Sequence, residues 1–352
     1  MHYESLGNLA HRLLKGKARN TIVFAPNTIG KTRLAQHLKE QNPKGVMLYN
    51  ALVEDAFTWD NERVVLKMDR DSELLHTIET QGLDGEIIKN FQMFTNARIE
   101  PTLDFVSGEI TFGVYKGDES STAEIKLSRA EESIFVWCVY FTVLSEAIDA
   151  LSDHEDLRST TDYDALVLAV VDDPVSSMDD MRIVAVALAL ADLMERASSV
   201  NLRFLVTTHH ALFFNVLFNS LKSKELSKRA VLLQRGVEGG WELKEQSRDS
   251  PFSYHLSIIE ELKRAISENV IQRSHFNQFR TLLEKTANFL GYSGWTRLLT
   301  GPDASVLKST LNLYSHDRVA DIDSSEVYET HKEALKTEFS AFLKRFKWAA
   351  AA

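Results

Sequence analysis

Residues 21–32 read Thr-Ile-Val-Phe-Ala-Pro-Asn-Thr-Ile-Gly-Lys-Thr, and the fold is decided here. Residues 21–25 are an apolar, β-branched run with the composition of a short buried strand. Residues 26–31 form a loop, and residues 32–40 have the composition of a helix. Strand, loop and helix in that order, with Gly30-Lys31-Thr32 at the start of the helix, predict a phosphate-binding loop. Lys31 would neutralise the β- and γ-phosphates, and Thr32 would hold Mg²⁺ through its hydroxyl. Asn27 and Gly30 would line the loop, and backbone N–H groups at the helix start would bind the anion. Ala25 stands where the pattern usually has its first glycine, so the loop must take shape with fewer residues free to adopt positive φ. Alone, Gly-Lys-Thr after a strand also arises by chance.

Working outward, residues 46–49 read as a second strand. Residues 110–115 and 123–127 read as strands separated by a Gly-Asp turn region. Ser128 is a good N-cap for a long helix over residues 131–151, with Glu131 and Glu132 in its first turn. Residues 165–171 (ALVLAVV) are a continuous apolar run, typical of a central strand in a parallel sheet. A helix is expected over residues 181–197 and a buried strand over 203–207. Such alternation predicts an α/β sheet.

The central apolar run ends in Asp172-Asp173-Pro174. Asp172 would sit at the strand's C-terminal end, where such sheets bind ligands, and would hold Mg²⁺ together with Thr32. Asp173 stands where ABC ATPases carry a catalytic glutamate. Being one methylene shorter, it predicts slow hydrolysis. Taken alone, these are equally two turn-forming acids at a strand end. Three further features point the same way. Ser176-Ser177-Met178-Asp179 follows at the spacing of an ABC D-loop. Thr207-Thr208-His209 follows a buried strand as the ABC switch histidine does, although His209 could be a satisfied core residue. Leu127-Ser128-Arg129-Ala130-Glu131-Glu132 resembles the ABC signature, with Ala130 in place of a glycine. These motifs, in the right order and each on its expected element, predict a P-loop head of ABC type with a mixed sheet. In that class two heads sandwich nucleotide between one P-loop and the other's signature, so head-to-tail dimers in a homo-oligomer are expected. The expected ligand is ATP or GTP, with dTTP a third candidate, together with Mg²⁺. No heptad run lies between P-loop and signature, which argues against a long coiled-coil arm.

The chain has 352 residues and a net charge of −10, too acidic for a general nucleic-acid coat. The acidity is uneven. Residues 248–352 carry 14 Lys and Arg against 13 Asp and Glu, leaving a net of −11 to the first 247. The C-terminal part is thus the less repulsive host for an RNA. Cys138 is the single cysteine, which excludes an intramolecular disulfide and fits a reducing compartment. The apolar run 134–144 is too short to span a bilayer, so no membrane association and a cytoplasmic location are expected.

The pattern changes near residues 247–251 (SRDSP). Beyond it Ile258, Ile259, Leu262, Ile266 and Val270 fall at helical spacing, as do Phe279, Leu282, Leu283 and Leu290. Leu335, Phe339, Phe342 and Phe346 mark a last amphipathic helix, and no strand signal follows 241–243. The expected organisation is a head over 1–246, an all-α domain over 247–348 and a tail over 349–352.

Several strings have no role in a generic ABC head. They include Tyr49-Asn50-Ala51 with Trp59-Asp60-Asn61, residues 213–219 (FFNVLFN), Phe252-Ser253-Tyr254-His255-Leu256, and Glu284-Lys285-Thr286-Ala287 with Phe289-Leu290-Gly291-Tyr292. With the head motifs they resemble PrrC-type anticodon nucleases, a group related to RloC, over about residues 21–316. The resemblance implies a helical nuclease that cuts lysine tRNA at the wobble position, leaving a 2′,3′-cyclic phosphate and a 5′-hydroxyl with no cofactor for that step. It implies a catalytic set of Arg280, Glu284 and His316, and a role in substrate recognition for Asp249. It further implies antiphage defence, with a type I restriction–modification complex as masking partner.

The chemistry is consistent with those residue types. Cleavage by a ribose 2′-OH needs one group to take its proton, one to protonate the leaving oxygen, and a cation for the phosphorane. Glu284 and His316 could share the proton work while Arg280 braces the phosphate oxygens. The spacing of four puts Arg280 and Glu284 on one helical face. Without the resemblance, such a pair reads as a solvated ion pair, His316 as a loop residue and Asp249 as a turn acid. His255 and His275, among apolar or aromatic neighbours, read as structural. Two rival functions remain from the motifs alone: an SMC- or ABC-like ATPase of DNA repair, and a non-catalytic regulatory module.

Overall fold

In the computed structural model, residues 2–15, 18–50, 57–60, 62–69, 72–95, 99–116, 119–121, 125–176, 178–221, 228–236, 239–246, 254–315 and 327–346 are described. The chain divides into two units, Met1–Phe252 and Ser253–Ala352.

The first unit begins with β1 (His2–Tyr3), α1 (Leu6–Leu14), β2 (Asn20–Phe24), α2 (Lys31–Gln41) and β3 (Val46–Asn50). It continues with β4 (Phe57–Asp60), β5 (Val65–Met68), α3 (Glu73–Gln81), α4 (Asp84–Thr95), β6 (Ile99–Asp104), β7 (Glu109–Lys116) and β8 (Glu119–Ser121). Then come α5 (Arg129–Ser152), β9 (Leu168–Asp172), α6 (Asp180–Arg196), β10 (Arg203–Thr208), α7 (Ala211–Ser220), β11 (Lys228–Arg235) and β12 (Trp241–Glu245). Seven strands form a mixed sheet in the order β1-β12-β11-β2-β10-β9-β3. The five from β11 to β3 run parallel, and β12 and β1 close one edge antiparallel. Burial explains the sequence of the central strands. Every residue of β2 and β9 is buried, as a parallel strand covered on both faces requires. Parallel register also fixes function: Phe24 pairs Thr208, Thr207 pairs Asp172, and Asn50 pairs Asp172. Four strand ends therefore open at one edge of the sheet.

A second, antiparallel sheet, β4-β5-β7-β6 with β8 on β7, packs aromatic residues against α4 and α5. Phe112 meets Phe135 edge-to-face at 5.2 Å, and Phe91 meets Phe135 at 5.6 Å. Helix α5 was expected to hold an apolar run too short for a membrane. It is 24 residues long and apolar enough to cross one, but 67% of its apolar window is buried inside the fold. Trp137, Phe135 and Leu144 are wholly enclosed, so it is the core helix of this unit. Ser128 caps it reciprocally: Glu131 N–H donates to Ser128 Oγ at 3.3 Å, and Ser128 N–H donates to Glu131 Oε2 at 2.8 Å. The strand expected over 123–127 is not formed where described. Residues 125–127 are irregular, and β8 ends at Ser121.

Among the described residues the second unit is helical: α8 (Tyr254–Ser267), α9 (Arg273–Phe289), α10 (Ala304–Ser315) and α11 (Glu329–Arg345), with a 3₁₀ turn at Trp295–Leu298. Its core includes Leu262, Phe279, Leu283, Leu307, Leu335 and Phe339. Val270 and Leu290 fall outside it, 47% and 44% exposed, because α8 stops at Ser267 and Leu290 is the C-cap of α9. One buried acid, Glu338, and one partly exposed acid, Glu261, hold the unit together. Glu338 of α11 is 1% exposed and accepts from Gly301 N–H at 2.9 Å and Asp303 N–H at 3.0 Å, pinning the entry to α10. A Cβ at Gly301 would press against that carboxylate and force it to shift. His275 Nδ1 accepts from Gln272 N–H at 2.8 Å, and its Nε2 lies 3.3 Å from Glu261. The Glu261 carboxyl is drawn from an ordinary 4.5 down to about 2, first by His275 and further by Arg264, against partial burial.

Two expectations follow for the full chain. Glu338→Ala strands two part-buried N–H groups and should cost at most about 1–3 kcal/mol each, read as a lowered melting temperature of the helical unit; an unchanged melt would contradict the assignment. Glu261 binds its proton more weakly folded than unfolded. Its stabilisation is therefore complete above about pH 4.5 and lost as pH falls toward 2. Unfolding titrations of Glu261→Gln should show a flatter acid limb over that range than wild type.

Candidate functional site

The loop after β2 reaches its shape by two left-handed residues. Gly30 sits at φ +100°, and Thr28, which carries a Cβ, at φ +71°. The missing first glycine is thus accommodated, because Ala25 is not a left-handed position and the demand falls on Thr28. Gly30 is the N-cap of α2 and supplies no side chain to its first amides. From β12, Trp241 Nε1–H donates to Ile29 O at 2.8 Å and holds the loop from outside; the Arg235 guanidinium lies 5.5 Å over its ring.

Lys31 Nζ curls back over the loop, donating to Ala25 O at 3.1 Å, Pro26 O at 3.3 Å and Asn27 Oδ1 at 3.3 Å. It also stands 3.6 Å from Asp173 Oδ2. Asp172, 1% exposed, accepts from Thr32 Oγ1 at 2.7 Å and from the Thr207 hydroxyl. Burial holds its carboxyl above the ordinary carboxylate range, opposed by those two hydroxyls. Asp173 adopts φ +53°. Its Oδ2 pairs with His209 Nδ1 at 2.5 Å, and its Oδ1 accepts from His209 N–H and Thr208 Oγ1, each at 3.3 Å. Burial works against charge on Asp173, but His209 and Lys31 outweigh it and keep the carboxyl below its usual range.

These groups border a cleft of about 600 Å³ lined by Asn27, Gly30, Lys31, Thr32, Asp172, Asp173 and His209. Thr28, Arg33, Asn50 and Ser176 complete it. Sequence reasoning passed over Arg33 and Asn50 in this role. Asn50 had a signal, since it ends a strand that pairs with the Asp172 strand. Ser128, Glu131 and Asp179 are not brought to the cleft of a single chain. Ser128 and Glu131 cap α5, and Asp179 caps α6 by accepting from Arg182 N–H at 3.1 Å. Ser177 lies outside the described residues.

In the helical unit, Arg280 and Glu284 share one face of α9, with Arg280 Nε–H donating to Glu284 Oε1 at 2.8 Å. Arg280 is more than half of a surface pair. Its Nη1 donates to Asn312 Oδ1 at 3.2 Å and to Leu311 O at 3.5 Å, and its guanidinium lies 5.3 Å over Trp295. Nη2 makes no hydrogen bond among the described residues. Trp295 and Asn312 were not legible as its partners. Leu311 and Asn312 lie in the last turn of α10, which ends at Ser315. His316 and Asp249 lie outside the described residues.

No family model matches the chain. A curated relative from Escherichia coli named anticodon nuclease is 34% identical over 345 residues, covering 90% of this chain and 86% of its own length. Among solved structures, an SMC head bound to the C-winged helix domain of ScpA aligns at TM-score 0.30 and 13% identity, over 49% of this chain and 44% of that one. The SMC head domain from Thermotoga maritima aligns at TM-score 0.31 and 11% identity, over 65% and 90%. Likenesses as loose as these two carry no argument.

Left-handed backbone costs an L-residue about 1–2 kcal/mol, and glycine gives part of that back as chain entropy. Thr28→Gly should therefore leave melting temperature unchanged or raised, whereas Gly30→Ala should lower both stability and nucleotide affinity. Equal nucleotide binding by Gly30→Ala and wild type in a titration would contradict this account of the loop.

Proposed function

This chain belongs to the anticodon nuclease family, and from that premise we propose a nucleotide-controlled endoribonuclease whose head is a P-loop ATPase and whose helical unit cuts tRNA. The cut is made in the anticodon loop, at the wobble position of lysine tRNA, and leaves a 2′,3′-cyclic phosphate and a 5′-hydroxyl. The observation that carries the reading is the setting of Arg280: fixed by Glu284, Asn312 and Trp295, it keeps one nitrogen without a hydrogen bond among the described residues.

That nitrogen suits a phosphate oxygen, because guanidinium is charged at all working pH values and donates in a fixed fork. In the proposed step the 2′-oxygen attacks phosphorus and the P–O5′ bond breaks. Glu284 and His316 share the proton work: the 2′-hydroxyl proton leaves to one of them, and the other delivers a proton to the departing 5′-oxygen. Arg280 stabilises the charge that gathers on the non-bridging oxygens. Asp249 contacts the substrate base.

The head fits a nucleoside triphosphate with Mg²⁺. Among the described residues no cluster of three metal-ligating side chains exists. Thr32 and Asp172 nevertheless put a hydroxyl and a carboxylate oxygen 2.7 Å apart at the cleft, the hard oxygen donors that Mg²⁺ takes alongside phosphate oxygens. Lys31, already tethered loosely by loop carbonyls, would turn to the β- and γ-phosphates. Asp173 with His209 would orient the attacking water. Ser128, Glu131 and Asp179, at helix starts, would meet the nucleotide of a second head in a head-to-tail dimer, and that pairing controls the nuclease. ATP, GTP and dTTP share the phosphates this cleft addresses. In cells, the family resemblance points to antiphage defence with a restriction–modification complex as masking partner.

Incubation of the full chain with total tRNA and nucleotide should give anticodon-loop fragments. Arg280→Ala, Glu284→Ala and His316→Ala should each reduce cutting by about 10²–10⁴-fold. Lys31→Ala should cut at a rate indifferent to nucleotide. Cutting that survives all three substitutions would overturn the site, and an unchanged nucleotide response in Lys31→Ala would overturn the P-loop assignment.

A further inference from the structure

A second cleft of about 620 Å³ lies in the helical unit, lined by Ser305, Val306, Ser309, Thr310 and Leu313 of α10 and His331 of α11. None of the α10 residues that line it is charged, so the cleft offers little to a phosphate. Its one aromatic lining residue, His331, is flanked by two tyrosines. His331 Nδ1 is hydrogen-bonded to the Tyr314 hydroxyl at 3.0 Å, which leaves Nε2 as the ring's remaining hydrogen-bonding atom. The Tyr314 and His331 rings meet edge-to-face at 5.8 Å, and Tyr328 meets His331 at 5.4 Å. On the far side the Arg273 guanidinium lies 5.3 Å over Tyr314 and steadies it. Tyr328 is 69% exposed, an unusual setting for a large ring.

An uncharged hydroxyl-bearing groove beside an edge-to-face aromatic cluster has the chemistry that receives an unpaired nucleobase. The ring face supplies stacking, and the hydroxyls and imidazole supply edge hydrogen bonds. The groove's helix α10 also braces Arg280 of the candidate cutting pair, which itself lies on α9. Ser309, Thr310 and Leu313 occupy the same two turns of α10 as Leu311 and Asn312, which hold Arg280. An α-helix with its side chains is about 10–12 Å across, so an RNA lying at Arg280 passes within a few nucleotides of the groove.

We propose that the groove between α10 and α11 binds one unpaired base of the cut RNA, stacked on Tyr328 and His331, and so positions the loop on the nuclease. This rests on RNA cleavage by the helical unit. The groove is a binding element; none of its residues is assigned to the chemistry.

The test uses the full chain, total tRNA and anticodon stem-loop RNAs of lysine tRNA in which one loop base at a time is replaced by an abasic site. Tyr328→Ala removes the exposed ring, and Ser309→Trp fills the groove from an exposed position. Each should raise KM about tenfold, the loss of one stacked base, with kcat within about twofold of wild type. One abasic position should weaken wild type by a similar factor yet leave Tyr328→Ala unaffected, as coupled partners require. If wild type cuts but both variants keep its KM, or their losses add at every abasic position, the groove proposal is overturned while the nuclease reading stands. If wild type cuts none of these RNAs, both fall together.

Discussion

Asp172 is a carboxylate taken out of water at the end of a central strand, and a buried carboxylate is tolerable only when its oxygens are hydrogen-bonded. Its two oxygens are met by hydroxyls from different elements, Thr32 at the start of α2 and Thr207 near the end of β10. Those bonds tie the phosphate loop's helix to two strands and fix the loop above the sheet edge. The parallel register that pairs Thr207 and Asn50 with Asp172 makes this possible, since it brings four strand ends to one level. The next residue, Asp173, enters the left-handed region at φ +53°, a conformation an aspartate tolerates. There it meets Lys31 and His209. The buried acid builds the edge, and the acid that follows meets the cleft.

The helical unit solves a similar problem with a cation. An Arg–Glu pair with arginine first is the less favourable order on a helix, so Arg280 and Glu284 add little to the stability of α9. Besides Glu284, Arg280 is held from outside α9: by Asn312 and a main-chain carbonyl of α10, and by the face of Trp295. A guanidinium so constrained is pre-positioned, and the ordering entropy is spent in folding rather than on substrate binding. In both units the candidate chemistry therefore sits on a carboxylate whose cationic partner is held from several directions.

Much of the head was legible because its signals are local. The strand–loop–helix run, the apolar strand ending in two aspartates and the Ser128 cap each lie within one short stretch, and each stands where the pattern placed it. Other features depend on distant residues. Trp241, more than 200 positions from Ile29, holds the phosphate loop from an edge strand. Thr28 carries the positive φ that the absent glycine left open, a choice invisible without coordinates. In the helical unit, apolar periodicity located α8, α9 and α11 but overran their ends at Val270 and Leu290, because burial ceases before the pattern does. Helix α10 escaped notice, although it braces Arg280. The apolar run in α5 looked too short for a membrane, yet the helix is long enough for one and serves as a core element instead. The pairing of Arg280 with Glu284 followed from spacing; its importance came from the family resemblance, and its bracing from the fold.

The central claim is that a guanidinium and a carboxylate on one helix, completed by His316, sever RNA by its own 2′-hydroxyl. The ends of the fragments test it most directly. RNA cut by the full chain with its nucleotide and Mg²⁺ should carry 2′,3′-cyclic phosphates and 5′-hydroxyls, resolved by sensitivity to end-specific kinases and phosphatases. Fragments bearing 3′-hydroxyls and 5′-phosphates would contradict it, because a 2′-oxygen nucleophile cannot produce them.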